Sequence, residues 1–167
     1  MSSFQKTGIG SQFVIDKNGF IYQTAGMSVF TQHVGPIRSR NEIEKTASPE
    51  EMKRIKKFGL NYKALHEYEK TKNYPNRFPH SGDSVGIEVV AKCIDENKGI
   101  WEKPTIEQSV SINKLVDIIM NIYELTTMDI YEHDKISRKT EGEGAGLYTA
   151  QEYENSDKNL IKKKTNQ

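Results

Sequence analysis

The chain has 167 residues, 24 Lys plus Arg against 23 Asp plus Glu, and one cysteine. A formal charge of +1 offers no field to hold nucleic acid or an anionic membrane, and a lone Cys93 excludes both a disulfide framework and a multi-thiolate zinc site. The opening MSSFQKTGIG lacks the charged-then-apolar pattern of an export signal, and no apolar run approaches the roughly 20 residues that span a bilayer.

In chain order, SQFVIDKNGFIYQTA comes first. Its β-rich runs Phe13 to Ile15 and Phe20 to Tyr22 flank Asn18-Gly19, which predicts a hairpin. QHVGPIRSR follows as a loop, because Gly35-Pro36 interrupts any ladder, and its His33, Arg38 and Arg40 are available to a ligand. SPEEMKRIKKF supplies a cap at Ser48, proline at the first helical position and Glu51 three residues after the cap, so a short surface helix is expected. From Asn61 to Ser84 the text is polar and broken by Pro75, Pro79 and Gly82, which reads as a long excursion without regular structure. Val85 to Ala91 then reads as a buried interior strand.

KPTIEQSVSINKLVDIIMNIY carries a capping box, Thr105 with Gln108, and apolar residues at Ile106, Val110, Leu115, Ile119 and Ile122, which predict a long helix. MDIYEH follows as a short strand. Strand, helix and strand from Val85 to His133 form a parallel crossover, with His133 at the strand's C-terminal end, where open α/β sheets place their sites. The fold class is therefore α/β, a mixed sheet flanked by helices, over residues 1–147, with a charged tail at 148–167.

The chemistry concentrates in HDKISRKTEG. Lys139 lies six residues after His133 and Glu141 eight, and in an extended segment Lys139 and Glu141 share a face. Spacing leaves two readings, a metal site or a solvated polar turn. In SGDSVGIEVV, Glu88 interrupts an apolar strand, where a carboxylate is costly unless paired, exposed at a cleft or functional. His66 and His80 fall in the polar excursion, and no metal role is expected for either.

Taken together in this order, SQFVIDKNGFIYQTA, QHVG, SVGIE, the long helix and HDKISRKTEG resemble the zinc-dependent N-acetylmuramoyl-L-alanine amidases, whose fold is shared with the peptidoglycan recognition proteins. The resemblance runs from about Gly10 to Gly146. It implies zinc as cofactor, with His133 and Glu141 as ligands and Glu143 as a rival to Glu141. It implies Glu88 as the acid–base group acting on the attacking water and Lys139 as the cation facing the oxyanion. His33 would flank the substrate groove, and Arg38 would meet a peptide carboxylate.

The implied ligand is peptidoglycan or its muropeptides. Similar sequences include amidase domains delivered into rival bacteria, which brings a secretion-system or immunity partner into view. One element has no counterpart, since the family's first strand, ending in a zinc-binding histidine, precedes the hairpin and is not found here. That gap keeps a second expectation open, a peptidoglycan-binding module without activity, and it predicts an open apolar sheet edge.

Overall fold

The structure is a computed structural model and describes residues 10–138 and 140–149. Lys139 and everything from Ala150 onward, hence nearly all of the charged tail, lie outside the described residues. What it describes is a mixed α/β arrangement of small sheets flanked by helices.

Strands β1 (Phe13–Ile15) and β2 (Ile21–Gln23) form the expected hairpin, with Phe13 opposite Gln23 and Ile15 opposite Ile21. The turn closes on Asp16, whose carboxylate accepts from the amides of Asn18 and Phe20, both at 2.9 Å. Next come α1 (Arg40–Ile43), α2 (Pro49–Phe58) and α3 (Tyr62–Lys70). Ser48 caps α2 by accepting from the Glu51 amide, and only Ile55 of that helix is buried, so it is the surface helix its sequence predicts.

Helix α3 corrects the reading of Asn61 to Ser84 as wholly irregular. Asn61 accepts from the Ala64 amide as an N-cap, and Leu65 and Glu69 are buried one turn apart. The carboxylate of Glu69 is held by Lys72, which also pairs with Glu51 and so ties α3 to α2.

Strand β3 (Ile87–Val89) runs parallel to β1, giving the order β2-β1-β3. It is shorter than the expected Val85 to Ala91 and is an edge, not an interior strand, among the described residues. Ile87 and Val89 turn toward the core while Glu88 between them is exposed. A second hairpin, β4 (Cys93–Asp95) with β5 (Ile100–Trp101), leads into α4 (Ile106–Tyr123).

The capping box at Thr105 and Gln108 forms as predicted. Helix α4 packs Ile112, Leu115, Val116 and Ile119 on Phe13 and Ile15 as the main core. Leu115 and Ile119 of the expected stripe are in this core, while Ile106, Val110 and Ile122 are exposed, so the buried face is rotated toward Ile112 and Val116. The helix docks through its first two turns onto the β1–β2 hairpin, where Thr105 donates to Lys17 O and Ser111 to Gly19 O. This contact selects which stripe faces inward.

The expected return strand at MDIYEH is absent. Thr126 and Asp129 cap each other and close a 3-10 turn at Thr127–Asp129, which uses the amides a ladder would need. His133 instead opens a short helix, α5 (His133–Ile136), and the parallel pair among the described residues is β1 with β3. The predicted crossover from Val85 to His133 therefore does not form.

Candidate functional site

A smaller core of Val34, Ile37, Phe78 and Ile136, with Tyr131 packed against it, brings the QHVGPIRSR loop beside α5. Ile37 and Ser137 form an isolated bridge, Arg38 N donates to Ile136 O at 2.8 Å, and Arg38 Nε donates to Ser137 O at 3.0 Å. Two segments about a hundred residues apart in sequence thus lie side by side.

His133 sits at this seam. Its Nε2 is 3.0 Å from Val34 O, and since a carbonyl only accepts, Nε2 carries a proton and donates. Its Nδ1 faces Glu143 Oε1 at 3.2 Å. Glu143 reaches it because the chain after Thr140 folds back, with Asp134 N donating to Glu143 O and Gly142 N to Asp134 Oδ2. The reversal needs left-handed backbone at Gly142 and Gly144, with φ of 76° and 81°.

The contact is that of a histidine facing a carboxylate. Two donors at about 2.0–2.2 Å from a tetrahedral zinc would lie about 3.3–3.6 Å apart, slightly more than the separation seen here. A ligating imidazole commonly donates its other N–H to a carbonyl, as His133 does to Val34. Two donors are what the pair supplies. Among the described residues no group of three His, Cys, Asp or Glu side chains is placed to hold a metal ion. The fit is to two positions of a zinc site, not to a complete one.

Of the two acids that sequence left open, Glu143 is the one that faces His133. Glu141 is exposed, its carbonyl accepts from Trp101 Nε1 at 3.0 Å, and it lines a separate pocket with Arg38, Asp134 and Lys135.

His33 packs over the entry to β3, so closely that a Cβ on Gly86 would lie 2.6 Å from the ring. Nδ1 is 2.9 Å from Thr31 O and Nε2 is 3.0 Å from Ser84 Oγ. Burial lowers its pKa below the usual imidazole value, partly offset by the bond to Thr31, and the nearby His133 lowers it further. The Gly86 carbonyl pairs with Phe13 N, so Gly86 continues the line of β3, and residues two apart on that line share a face. Glu88 therefore projects from the face that carries His33. Being exposed, it bears no burial cost, so its place in this strand does not by itself demand a function.

His66 and His80 serve the scaffold: His66 Nδ1 accepts from Ile37 N and His80 Nδ1 from Gly82 N. Lys139 lies outside the described residues, so its relation to the site is not part of this geometry. Asp134 is a residue that sequence reasoning passed over. It is 5 % exposed, and its Oδ1 has no hydrogen-bond partner among the described residues.

Compared with protein-family models, with curated proteins and with solved structures, the chain matches none. No helix among the described residues is long and apolar enough to cross a membrane.

Proposed function

We propose that this chain is a zinc-dependent N-acetylmuramoyl-L-alanine amidase, hydrolysing the amide between N-acetylmuramic acid and L-alanine of peptidoglycan. The observation that carries the reading is the His133–Glu143 pair, spaced nearly as two zinc ligands within the segment that resembles the family's last motif. The chemistry zinc supplies in such a site is polarisation of an amide carbonyl and of water.

The chain's own residues hold and move protons around that centre. Val34 fixes the His133 ring through its carbonyl, with Nδ1 turned toward Glu143. Glu88, on the exposed face of β3, takes the proton of the attacking water and returns it to the leaving amine. Lys139 provides the cation opposite the oxyanion. His33, fixed by Thr31 and Ser84, forms a wall of the substrate groove, and Arg38 meets a carboxylate of the stem peptide.

A second reading, a peptidoglycan-binding module without hydrolysis, is favoured by the two-donor count among the described residues. One assay separates the two. Purified peptidoglycan is incubated with the protein, released L-alanine-bearing peptide is measured, and zinc content and sedimentation with peptidoglycan are read on the same samples. Release that Glu88→Gln abolishes without loss of zinc supports the amidase. Cosedimentation without release supports the binder. Neither release nor cosedimentation removes both.

A further inference from the structure

Beside the His133–Glu143 pair, and distinct from it, Arg38, Asp134, Lys135 and Glu141 line a pocket of about 320 Å³, within the size range of small-molecule sites. Its charges are two of each sign. A simple anion would face Asp134 and Glu141, and a simple cation would face Arg38 and Lys135, so neither is well served.

The individual groups sharpen the point. Arg38 is anchored: its amide donates to Ile136 O and its Nε to Ser137 O, which sets the guanidinium plane and leaves the terminal nitrogens for a ligand. A guanidinium so held presents a fork that matches a carboxylate. Asp134 is the converse. Its Oδ2 accepts from Gly142 N and from Lys135 Nζ, at 2.9 and 3.3 Å, while Oδ1, buried, has no hydrogen-bond partner among the described residues. A buried carboxylate oxygen without a donor is costly, and a small rotation that brings it to the pocket wall would let an ammonium N–H satisfy it.

We propose that this pocket binds the zwitterionic end of an α-amino acid, with the carboxylate on Arg38 and Lys135 and the ammonium on Asp134 and Glu141. The amino acid is either free or joined to a larger molecule through its side chain, since a peptide linked through its α-groups cannot present both charges from one residue. The proposal goes beyond the amidase reading and requires neither a metal nor a glycan.

The test is a titration of the full chain, without metal, followed by amide chemical shifts and calorimetry. Alanine stands for the free amino acid and Nε-acetyl-lysine for a side-chain-linked one. N-acetylalanine lacks the ammonium and alaninamide lacks the carboxylate. Saturable binding of alanine or Nε-acetyl-lysine is expected, with both blocked compounds weaker by about tenfold or more, because each lost charge removes a charge-assisted hydrogen bond. Equal affinity for alanine and Nε-acetyl-lysine assigns a free ligand, and a preference for Nε-acetyl-lysine assigns a linked one.

Arg38→Gln and Asp134→Asn should each weaken binding by about tenfold. Glu141→Gln, at an exposed position, tests the site if either of those fails to fold. Equal binding of blocked and unblocked compounds, or no binding of any, overturns the proposal. Because the readout is binding without zinc or peptidoglycan, its failure removes the carboxylate role of Arg38 but leaves the zinc chemistry of the amidase reading standing, and failure of that chemistry leaves this pocket standing.

Discussion

Gly86→Ala tests how closely the loop bearing His33 is fitted to the sheet. The added methyl would stand 2.6 Å from His33 Cγ and 2.7 Å from Cδ2, where ordinary contact begins near 3.4 Å. The ring must retreat by about 0.8 Å, and the neighbour it presses on is a stiff aromatic instead of a flexible chain end. Overpacking of this kind costs about 1–3 kcal/mol. Moving the ring also strains its bonds to Thr31 and Ser84, each worth about 1 kcal/mol.

The expected loss is therefore about 2–4 kcal/mol, or a drop of about 1–2 M in the urea midpoint at the usual slope for a domain of this size. Combining the change with His33→Ala should recover about 1 kcal/mol or more relative to the sum of the single losses, because the methyl then enters space the ring has left. A midpoint shift below about 0.3 M, with the His33 ring resonances unmoved, would refute the packing argument.

Zinc binding should fall much further for Glu143→Gln than for Glu141→Gln, measured by metal competition, since only Glu143 faces His133 Nδ1; the reverse order would move the ligand to Glu141. Thr105→Ala should cost about 1 kcal/mol in thermal or urea unfolding through loss of the capping box, and a neutral result would mean that packing alone sets the start of α4. Burial lowers the pKa of His33, His66 and His80 below the usual 6.5, so the unfolded chain binds more protons just below that value. Stability is then full above pH 6.5 and falls as pH drops toward the folded-state values, and the Lys72-bound Glu51 adds a loss of the same sign below about 4.5. A urea midpoint that rises between pH 7.5 and 5.5 would reverse this sign. The exposed residues Ile21 and Tyr22 on β2, an edge strand among the described residues, should promote self-association, so Tyr22→Lys should lower the light-scattering mass at high concentration if that edge is the contact.

Local chemistry alone determined several elements. Asn18-Gly19 between β-rich runs makes a hairpin, Ser48-Pro49 starts a helix, and Thr105 with Gln108 starts another, because each signal acts within four or five residues and finds its partner in its own segment. The same locality explains the errors. The polar stretch after Asn61 hides a helix whose buried residues are Leu65 and a lysine-paired Glu69, and a carboxylate does not announce its own burial. In MDIYEH the strand propensity of Ile130 and Tyr131 lost to the reciprocal caps of Thr126 and Asp129.

Tertiary structure alone decided which stripe of α4 faces the core. Periodicity placed Leu115 and Ile119 on the inner face, where they are, but extended that face to Ile106, Val110 and Ile122, whereas docking on the β1–β2 hairpin extends it to Ile112 and Val116. It also decided the site. Sequence could place His133 and the acids after it within one short stretch, but not say which acid the chain reversal at Gly142 and Gly144 would turn toward the ring. Nor could it join Val34 to His133 or Arg38 to Ser137, since those contacts span about a hundred residues and exist only because the small core of Val34, Ile37, Phe78 and Ile136 draws the two segments together.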